Sequence, residues 1–373
     1  MKILILTNHD GALYRFRADL LRALVKEHEV FASFPRGDMT EEIRALGCRV
    51  ICCDALERRG KNPLNDLKLF LHYRKLLRQI RPDAVLTYTV KPNIYGGWNC
   101  RLARIPYLAG VTGLGSVFEG RGLSVRILRA FVVRMYRSAL KGCSCLFFQN
   151  SYSMKAFADL GIRAKKARLV SGSGVDLDFF REAPMPAGGD GRSGDPVQFL
   201  MIGRVMKEKG LEEYLLAAAR IKKKYPATVF HLCGYREPGY RGRLDAAIEK
   251  QIVNYHGEIN GMRDFLRGVH CVVLPSYSEG MSNALLEGSA TGRAVITTDR
   301  PGCREAAEDG VTGYLVPVRD AEALEKAMER FLALTQEERA AMGHRARLKM
   351  EREFDRRKVT AAYLTELARA TRA

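Results

Sequence analysis

Short apolar runs recur along this chain of 373 residues, and longer segments of helical periodicity lie between them. In the first half the runs fall at 3–7, 30–34, 50–52, 84–88, 107–109 and 146–149, with amphipathic stretches at 13–27, 64–80 and 124–141. In the second half they fall at 198–202, 228–233, 272–275, 294–298 and 313–316, again alternating with helical segments that continue to the end of the chain. Near-continuous apolar strands are buried on both faces, and parallel strands need crossover helices, so the pattern predicts parallel sheets covered on both sides. Residues 183–196 hold seven Gly or Pro in fourteen positions without apolar periodicity, which reads as a linker. The expected fold is therefore α/β, with Rossmann-like doubly wound domains over 1–182 and 197–355 facing a cleft. Ligands of such sheets bind at the carboxyl ends of the strands.

Composition excludes several classes. Apolar residues at 47% and charged residues at 28% fit neither a disordered nor a fibrous chain. The first apolar run begins at residue 3 with no leader pattern before it, and no stretch approaches the roughly 18 apolar residues of a membrane span. Nine cysteines, an odd number without a CxxC pair, fit neither a disulfide scaffold nor a zinc ribbon. The expectation is a reduced, cytoplasmic protein. Neither GxxxxGK[ST] nor GxGxxG occurs, which argues against a P-loop ATPase and a dinucleotide dehydrogenase. Asp176 and Asp178 have the spacing of a metal-binding pair but fall at the end of the first domain, so no metal is expected there.

The net charge of +19 is uneven. Residues 1–182 carry 31 basic and 16 acidic side chains, and 58–141 alone carry 17 and 3. A basic half of this kind attracts polyanions such as nucleic acid, anionic lipid or phosphorylated substrates.

Two segments carry the chemistry. After the run at 272–275 come Glu279, Gly280, Met281 and Ser282, then a helix from about Asn283 with Glu287 one turn in. Backbone amides at a helix start suit a phosphate or diphosphate, and carboxylates on either side accept hydrogen bonds from sugar hydroxyls. After the run at 198–202 come Gly203, Arg204, Lys209 and Gly210. A strand, a glycine turn and two cations can hold a diphosphate, for which Arg204 would chelate the oxygens and Lys209 would act as a point charge.

In this order, and with Gly174, Asp176, Gly257, Gly302, Glu305, Gly310 and Gly313, the sequence resembles the retaining family 4 glycosyltransferases of GT-B fold. The resemblance implies that Gly203, Arg204 and Lys209 bind a donor diphosphate, with Arg204, Lys209 and Glu279 forming the catalytic set. It implies that Glu287 holds ribose hydroxyls and Glu279 faces the transferred sugar. The amides of Gly280 to Ser282, with Asn283, would meet phosphate and sugar, and Glu258 and Ile259 would lie near the base. It also implies a last helix, about 356–373, that packs back on the first domain, and a UDP-sugar donor with no cofactor and no metal.

In the first half, Tyr14 to Arg17, Thr89 to Gly96 and Val111 to Phe118 are similar to the branch that extends lipid-linked oligosaccharides. That branch includes capsule, O-antigen and N-glycan-precursor enzymes such as N-acetylgalactosaminyl- and galactosyltransferases on undecaprenyl diphosphate. A polyprenyl-diphosphate-linked saccharide is the implied acceptor, with His9, Gly11, Arg15, Arg17, Lys91, Asn93, Thr112, Gly113 and Gly115 as its candidate contacts. Several family members carry a histidine within 86–91, and this chain does not. No general base is assigned, since a front-face transfer can pass the acceptor proton to the departing phosphate.

Along 121–141, Arg126, Arg129, Arg134, Arg137 and Lys141 share one helical face, opposite Leu128, Phe131, Val132, Met135 and Ala139. The expectation is an apolar face packed on the core and an arginine face toward an anionic membrane surface. The whole reads as a peripheral transferase on the cytoplasmic face of the plasma membrane, without nucleic acid as a partner. Two alternatives stay open: a UDP-sugar 2-epimerase of the same fold, and a non-catalytic basic module that binds lipid or nucleic acid.

Overall fold

The structure, a computed structural model, describes residues 1–53, 55–56, 62–114, 118 and 122–372. Gly115 and Arg121 therefore lie outside the described residues. The chain forms two compact units, Met1–Ser173 with Arg356–Ala373, and Gly174–Asp355.

The first unit is built on seven parallel strands: β1 (Lys2–Leu6), β2 (Glu29–Phe34), β3 (Arg49–Cys52), β4 (Ala84–Tyr88), β5 (Tyr107–Val111), β6 (Cys145–Phe148) and β7 (Ala167–Leu169). Their order is β3-β2-β1-β4-β5-β6-β7, so the winding reverses between β1 and β4. Alternate residues of β1 feed two cores, as the two-residue period of a strand requires. Ile3 and Ile5 pack with Leu13, Leu20, Leu21 and Leu24 of the Asp10–Val25 helix. Leu4 and Leu6 pack with Leu69, Tyr73 and Leu76 of the Pro63–Ile80 helix. The Arg356–Arg372 helix belongs to this unit: Tyr363 stacks on Phe147 with ring centroids 3.9 Å apart. Its buried Glu366 also accepts Lys166, Arg168 and Arg369 at 2.6, 3.0 and 2.9 Å.

The second unit has six parallel strands: β8 (Val197–Ile202), β9 (Thr228–Cys233), β10 (Asn254–Tyr255), β11 (Cys271–Leu274), β12 (Ala294–Thr298) and β13 (Gly313–Val316). Their order is β10-β9-β8-β11-β12-β13, and the reversal lies between β8 and β11. Two strands have no counterpart among the apolar runs. β7 is a three-residue edge strand centred on Arg168, and β10 is only two residues long, so neither buries enough side chains to mark itself in the sequence.

Residues 183–196 correct the linker reading, and the boundary lies after Ser173 rather than after residue 182. The segment belongs to the second unit and is tied down by buried donors. The Arg293 guanidinium, fully buried, donates to the carbonyls of Ala183 and Pro184 at 3.0 and 2.9 Å, and to those of Leu266 and Arg267. Burial pulls its pKa down to about 10. Arg339 donates to Gly189 O at 2.9 Å, Gln336 to Pro186 O at 2.6 Å, and His270 Nε2 meets Ala187 O at 3.2 Å. Gly- and Pro-rich backbone outside helices and strands has spare carbonyls, and buried donors consume them here.

Candidate active site

In the second unit the β8/β11 reversal opens the crevice in which such sheets hold ligands. The segment after β8 supplies Arg204 and Lys209, and the segment after β11 supplies Glu279. Lys209 Nζ and Glu279 Oε1 are paired directly, with side chains 18% and 13% exposed, so the crevice pair is half-withdrawn from water. Arg204 Nη1 lies 3.2 Å from Glu237 Oε1. Sequence reasoning named Arg204, Lys209 and Glu279 but not their mutual pairing, nor Glu237. Those contacts join residues 70 and 33 positions apart, which spacing alone does not report.

Two glycines shape the crevice. Gly210 has φ +75°, and a Cβ there would collide with the Pro275 carbonyl. Gly302 has φ +82°, and a Cβ there would strike the Glu279 carbonyl. The turn at Gly302 is closed by its own N–H donating to Glu305 Oε2 at 2.7 Å. It takes the Ser282 N–H onto the Gly302 carbonyl at 2.9 Å. That corrects one expectation: the Ser282 amide is spent inside the protein rather than offered to a phosphate. The Asn283–Ala290 helix starts without a side-chain cap and has no acidic residue in its first turn. Met281 is buried, Glu287 is half-buried on that helix, Gly203 follows β8, and Glu258 and Ile259 follow β10 with Glu258 exposed. Behind the pair, burial pushes the Cys303 thiol up to about 12, with the Glu279 charge adding to it, so this cysteine stays protonated.

Asp176 Oδ1 accepts the N–H groups of Asp178 and Phe179 at 3.1 and 2.9 Å. The acidic pair thus closes a local turn.

In the first unit the β1/β4 reversal is built differently. His9 caps the Asp10–Val25 helix, its Nδ1 accepting from Ala12 N at 3.2 Å. Gly11 is buried against that ring, where a Cβ would sit 3.0 Å from His9 Cε1. Lys91 Nζ pairs with Asp66 Oδ1 at 2.7 Å. Arg15 and Thr112 are exposed, and Gly113 has φ +141°. Two candidates are corrected. Arg17 is buried, its guanidinium 5.4 and 5.2 Å from the ring centres of Tyr88 and Tyr363, so it braces the core. Asn93 is fully buried, accepting from Thr87 Oγ1 at 2.7 Å and donating to Gly110 O at 3.0 Å.

The backbone here carries a feature with no signal in the sequence. Thr89, directly after β4, adopts φ +73°, which costs a β-branched residue about 1–3 kcal/mol. Its carbonyl accepts Asn93 N–H at 3.0 Å, while its buried hydroxyl oxygen has no hydrogen-bond partner among the described residues. A π-helical turn, Pro92–Gly96, follows; such turns cluster at functional sites.

The Leu123–Leu140 helix also departs from expectation. Met135 and Ala139 are buried and Val132 half-buried, but Phe131 is 61% exposed, with Leu128 exposed as well. Only the C-terminal half of the helix lies over the core, and a periodic pattern cannot say which half does. Arg126 and Arg134 are exposed and Arg129 half-buried, whereas Arg137 Nε donates to Leu160 O at 2.8 Å.

Two such sheets, each with polar groups at its reversal point, are the architecture of GT-B transferases, and comparison with known proteins agrees. Residues 12–172 match the glycosyl transferase 4-like domain, and residues 189–349 match glycosyl transferases group 1. The chain belongs to the glycosyltransferases and has the GT-B fold. It is 27% identical to the N,N'-diacetylbacillosaminyl-diphospho-undecaprenol alpha-1,3-N-acetylgalactosaminyltransferase of Campylobacter jejuni, over 89% of each chain. To the UDP-Gal:alpha-D-GlcNAc-diphosphoundecaprenol alpha-1,3-galactosyltransferase of Escherichia coli it is 25% identical, over 78% of this chain and 76% of that one. Among solved structures, Anabaena HepE in complex with UDP superposes with a TM-score of 0.79 at 16% identity, over 99% of this chain and 100% of that one.

Proposed function

We propose that this glycosyltransferase moves a hexose or N-acetylhexosamine from a UDP-sugar to a polyprenyl-diphosphate-linked saccharide, with retention at the anomeric carbon. The observation that carries the reading is the Lys209–Glu279 pair at the β8/β11 crevice, with Arg204 on the same segment after β8. Two cations there match the two charges of a departing diphosphate, and a carboxylate among them can accept hydroxyl hydrogen bonds from the sugar. On donor binding the diphosphate takes over Lys209 and Arg204. The bond from the anomeric carbon to the diphosphate oxygen then breaks, and its electron pair leaves with the UDP. The acceptor hydroxyl oxygen bonds to the same face of that carbon, and its proton passes to the departing phosphate oxygen. Stabilising the leaving group is the main catalytic contribution, and two side-chain cations in a half-buried crevice can supply it without a metal. Glu287 on the Asn283–Ala290 helix would hold ribose hydroxyls. His9, Gly11, Arg15, Lys91, Thr112 and Gly113 of the first unit remain the candidates for acceptor contact.

The acceptor assignment is supported by the two named relatives, both of which carry an undecaprenol-linked diphospho-sugar in their names. A lipid acceptor calls for a peripheral position on an anionic membrane. Exposed Arg126 and Arg134 and the charge of the first half support that, and among the described residues no helix is long and apolar enough to cross a membrane.

The test is UDP release across a panel of UDP-sugars, with and without undecaprenyl-diphosphate-linked saccharide. Release that needs one sugar and the lipid acceptor is expected. Interconversion of a sugar without acceptor would make the protein an epimerase.

A further inference from the structure

Three helices cover one face of the first unit's sheet: Pro63–Ile80, Gly97–Ala103 and Leu123–Leu140. The first and last both pack on the middle one and on the π-helical turn before it. Their inner sides join one core, through Leu69, Tyr73, Leu76, Cys100, Val133 and Tyr136. Their outer sides are unusual for a protein surface. Leu64, Leu67 and Leu71 are 67%, 55% and 51% exposed, Leu123 and Ile127 are 71% and 64%, and Phe131 is 61%. Of the seventeen exposed large hydrophobic residues among the described residues, eight lie on these three helices, so the apolar exposure is concentrated rather than scattered.

The charge of the same helices is one-sided. They carry nine Lys or Arg and a single acidic residue, Asp66, which Lys91 already engages. On the Pro63–Ile80 helix, Leu64, Leu67 and Leu71 share their helical face with exposed Lys68, Lys75 and Arg78. On the Leu123–Leu140 helix, exposed Ile127 and Phe131 are interleaved with exposed Arg126 and Arg134. Leucines and a phenylalanine set among cations, with almost no anion, fit a surface that is anionic at its rim and apolar beneath. That is an anionic bilayer, where aliphatic side chains enter the acyl boundary and Lys or Arg reach the head groups.

We propose that these helices form a membrane-inserting face, in which Leu64, Leu67, Leu71, Leu123, Ile127 and Phe131 enter the acyl boundary of an anionic leaflet. This rests on the peripheral-membrane reading given above and extends it from adsorption through arginines to insertion of a helical layer. Insertion makes part of the binding indifferent to salt, because screening weakens the charge contacts and leaves apolar burial intact.

The experiment uses the full chain with phosphatidylcholine vesicles and with phosphatidylcholine–phosphatidylglycerol vesicles. Wild type is expected to sediment with the anionic vesicles and to keep a measurable fraction bound at high salt. Ile127→Ser with Phe131→Ser is expected to lower the partition coefficient by about tenfold per side chain, with far-UV circular dichroism unchanged. Since Phe131 is exposed, Phe131→Trp folds normally and reports depth directly. Its emission should shift to the blue on binding and be quenched by lipids brominated on the acyl chain. An emission spectrum of the Phe131→Trp variant that stays unmoved while the protein sediments, or binding that salt abolishes completely, would overturn insertion. So would an effect of the serine pair on oligomeric state instead of vesicle binding, which would make the face a protein interface. Transfer to a water-soluble, short-chain acceptor should be unaffected by the serine pair. If wild type transfers to no acceptor, the enzymatic reading fails while the vesicle results still decide insertion.

Discussion

The two reversal points of this molecule solve the same topological problem with a different balance of charge and backbone shape. At β8/β11 the loops carry full charges, and the charges are paired within the protein: Lys209 with Glu279, and Arg204 with Glu237. At β1/β4 an ion pair, Lys91 with Asp66, stands among hydrogen bonds that fix the backbone: His9 caps a helix, buried Asp10 accepts from Met39 N and Thr40 Oγ1, Asn93 is buried between Thr87 and Gly110, and Thr89 is in a strained left-handed conformation. A crevice that receives a diphosphate can exchange one ion pair for another, so its cations stay oriented and partly desolvated before the ligand arrives. The attacking hydroxyl is neutral, so its placement rests chiefly on backbone shape, with the Lys91–Asp66 pair as the charge contact there. The contrast predicts that substitutions in the second unit act on chemistry and those in the first act on shape.

The largest effect should come from breaking the paired crevice. Lys209→Ala is expected to lower the transfer rate on the order of 10³-fold at saturating acceptor, with Glu279→Ala also severe, whereas His9→Ala should cost about tenfold or less. Steady-state kinetics of the three variants decide it, and equal losses would erase the distinction between the crevices.

A second difference is in pH response. His270 and His231 of the second unit are neutral in the fold, burial pulling each pKa down to about 4 from an ordinary 6.5, with His256 adding to the shift at His231. The unfolded chain therefore binds more protons between those values. Stability is fully present above about pH 6.5 and is lost as pH falls toward 4, at about 1.4 kcal/mol per pH unit for each histidine. His270 is fully buried, its Nδ1 accepting from Gln198 N at 3.1 Å. Denaturant melts between pH 7 and 4.5 should show the slope, and His270→Gln should flatten it. A first unit that melts earlier than the second on acidification would reverse the assignment.

The smallest effect concerns Thr89. Replacing it by Val keeps the shape and removes a buried hydroxyl that has no partner among the described residues, so the protein should gain about 1 kcal/mol of stability. A melt that drops instead would show that the hydroxyl is hydrogen-bonded in solution.

Much of this was legible in the amino-acid order. The strand–helix alternation specifies parallel sheets, and Gly203, Arg204, Lys209, Gly210, Glu279 and Glu287 stand out because strand ends, glycine turns and helix starts are local signals. The reading failed where distant parts of the chain meet. Residues 183–196 have the composition of a linker, yet Arg293 and Arg339 bind their carbonyls from about 110 and 150 residues away. Arg17 belongs to a motif at the start of a helix, yet Tyr363, brought in by the last helix, encloses it.

What the sequence determined by itself was therefore the class of sheet, the order of its elements and the loops at which a ligand meets them. Each depends on side-chain period and turn chemistry within a few residues. Only the tertiary structure decided which charges neutralise each other, that Thr89 is strained, that Arg17 and Asn93 are interior, and that Ile127 and Phe131 face outward. Those outcomes depend on which surfaces of the helices and strands the packing consumes, and a one-dimensional pattern gives a helix an apolar face without saying what covers it.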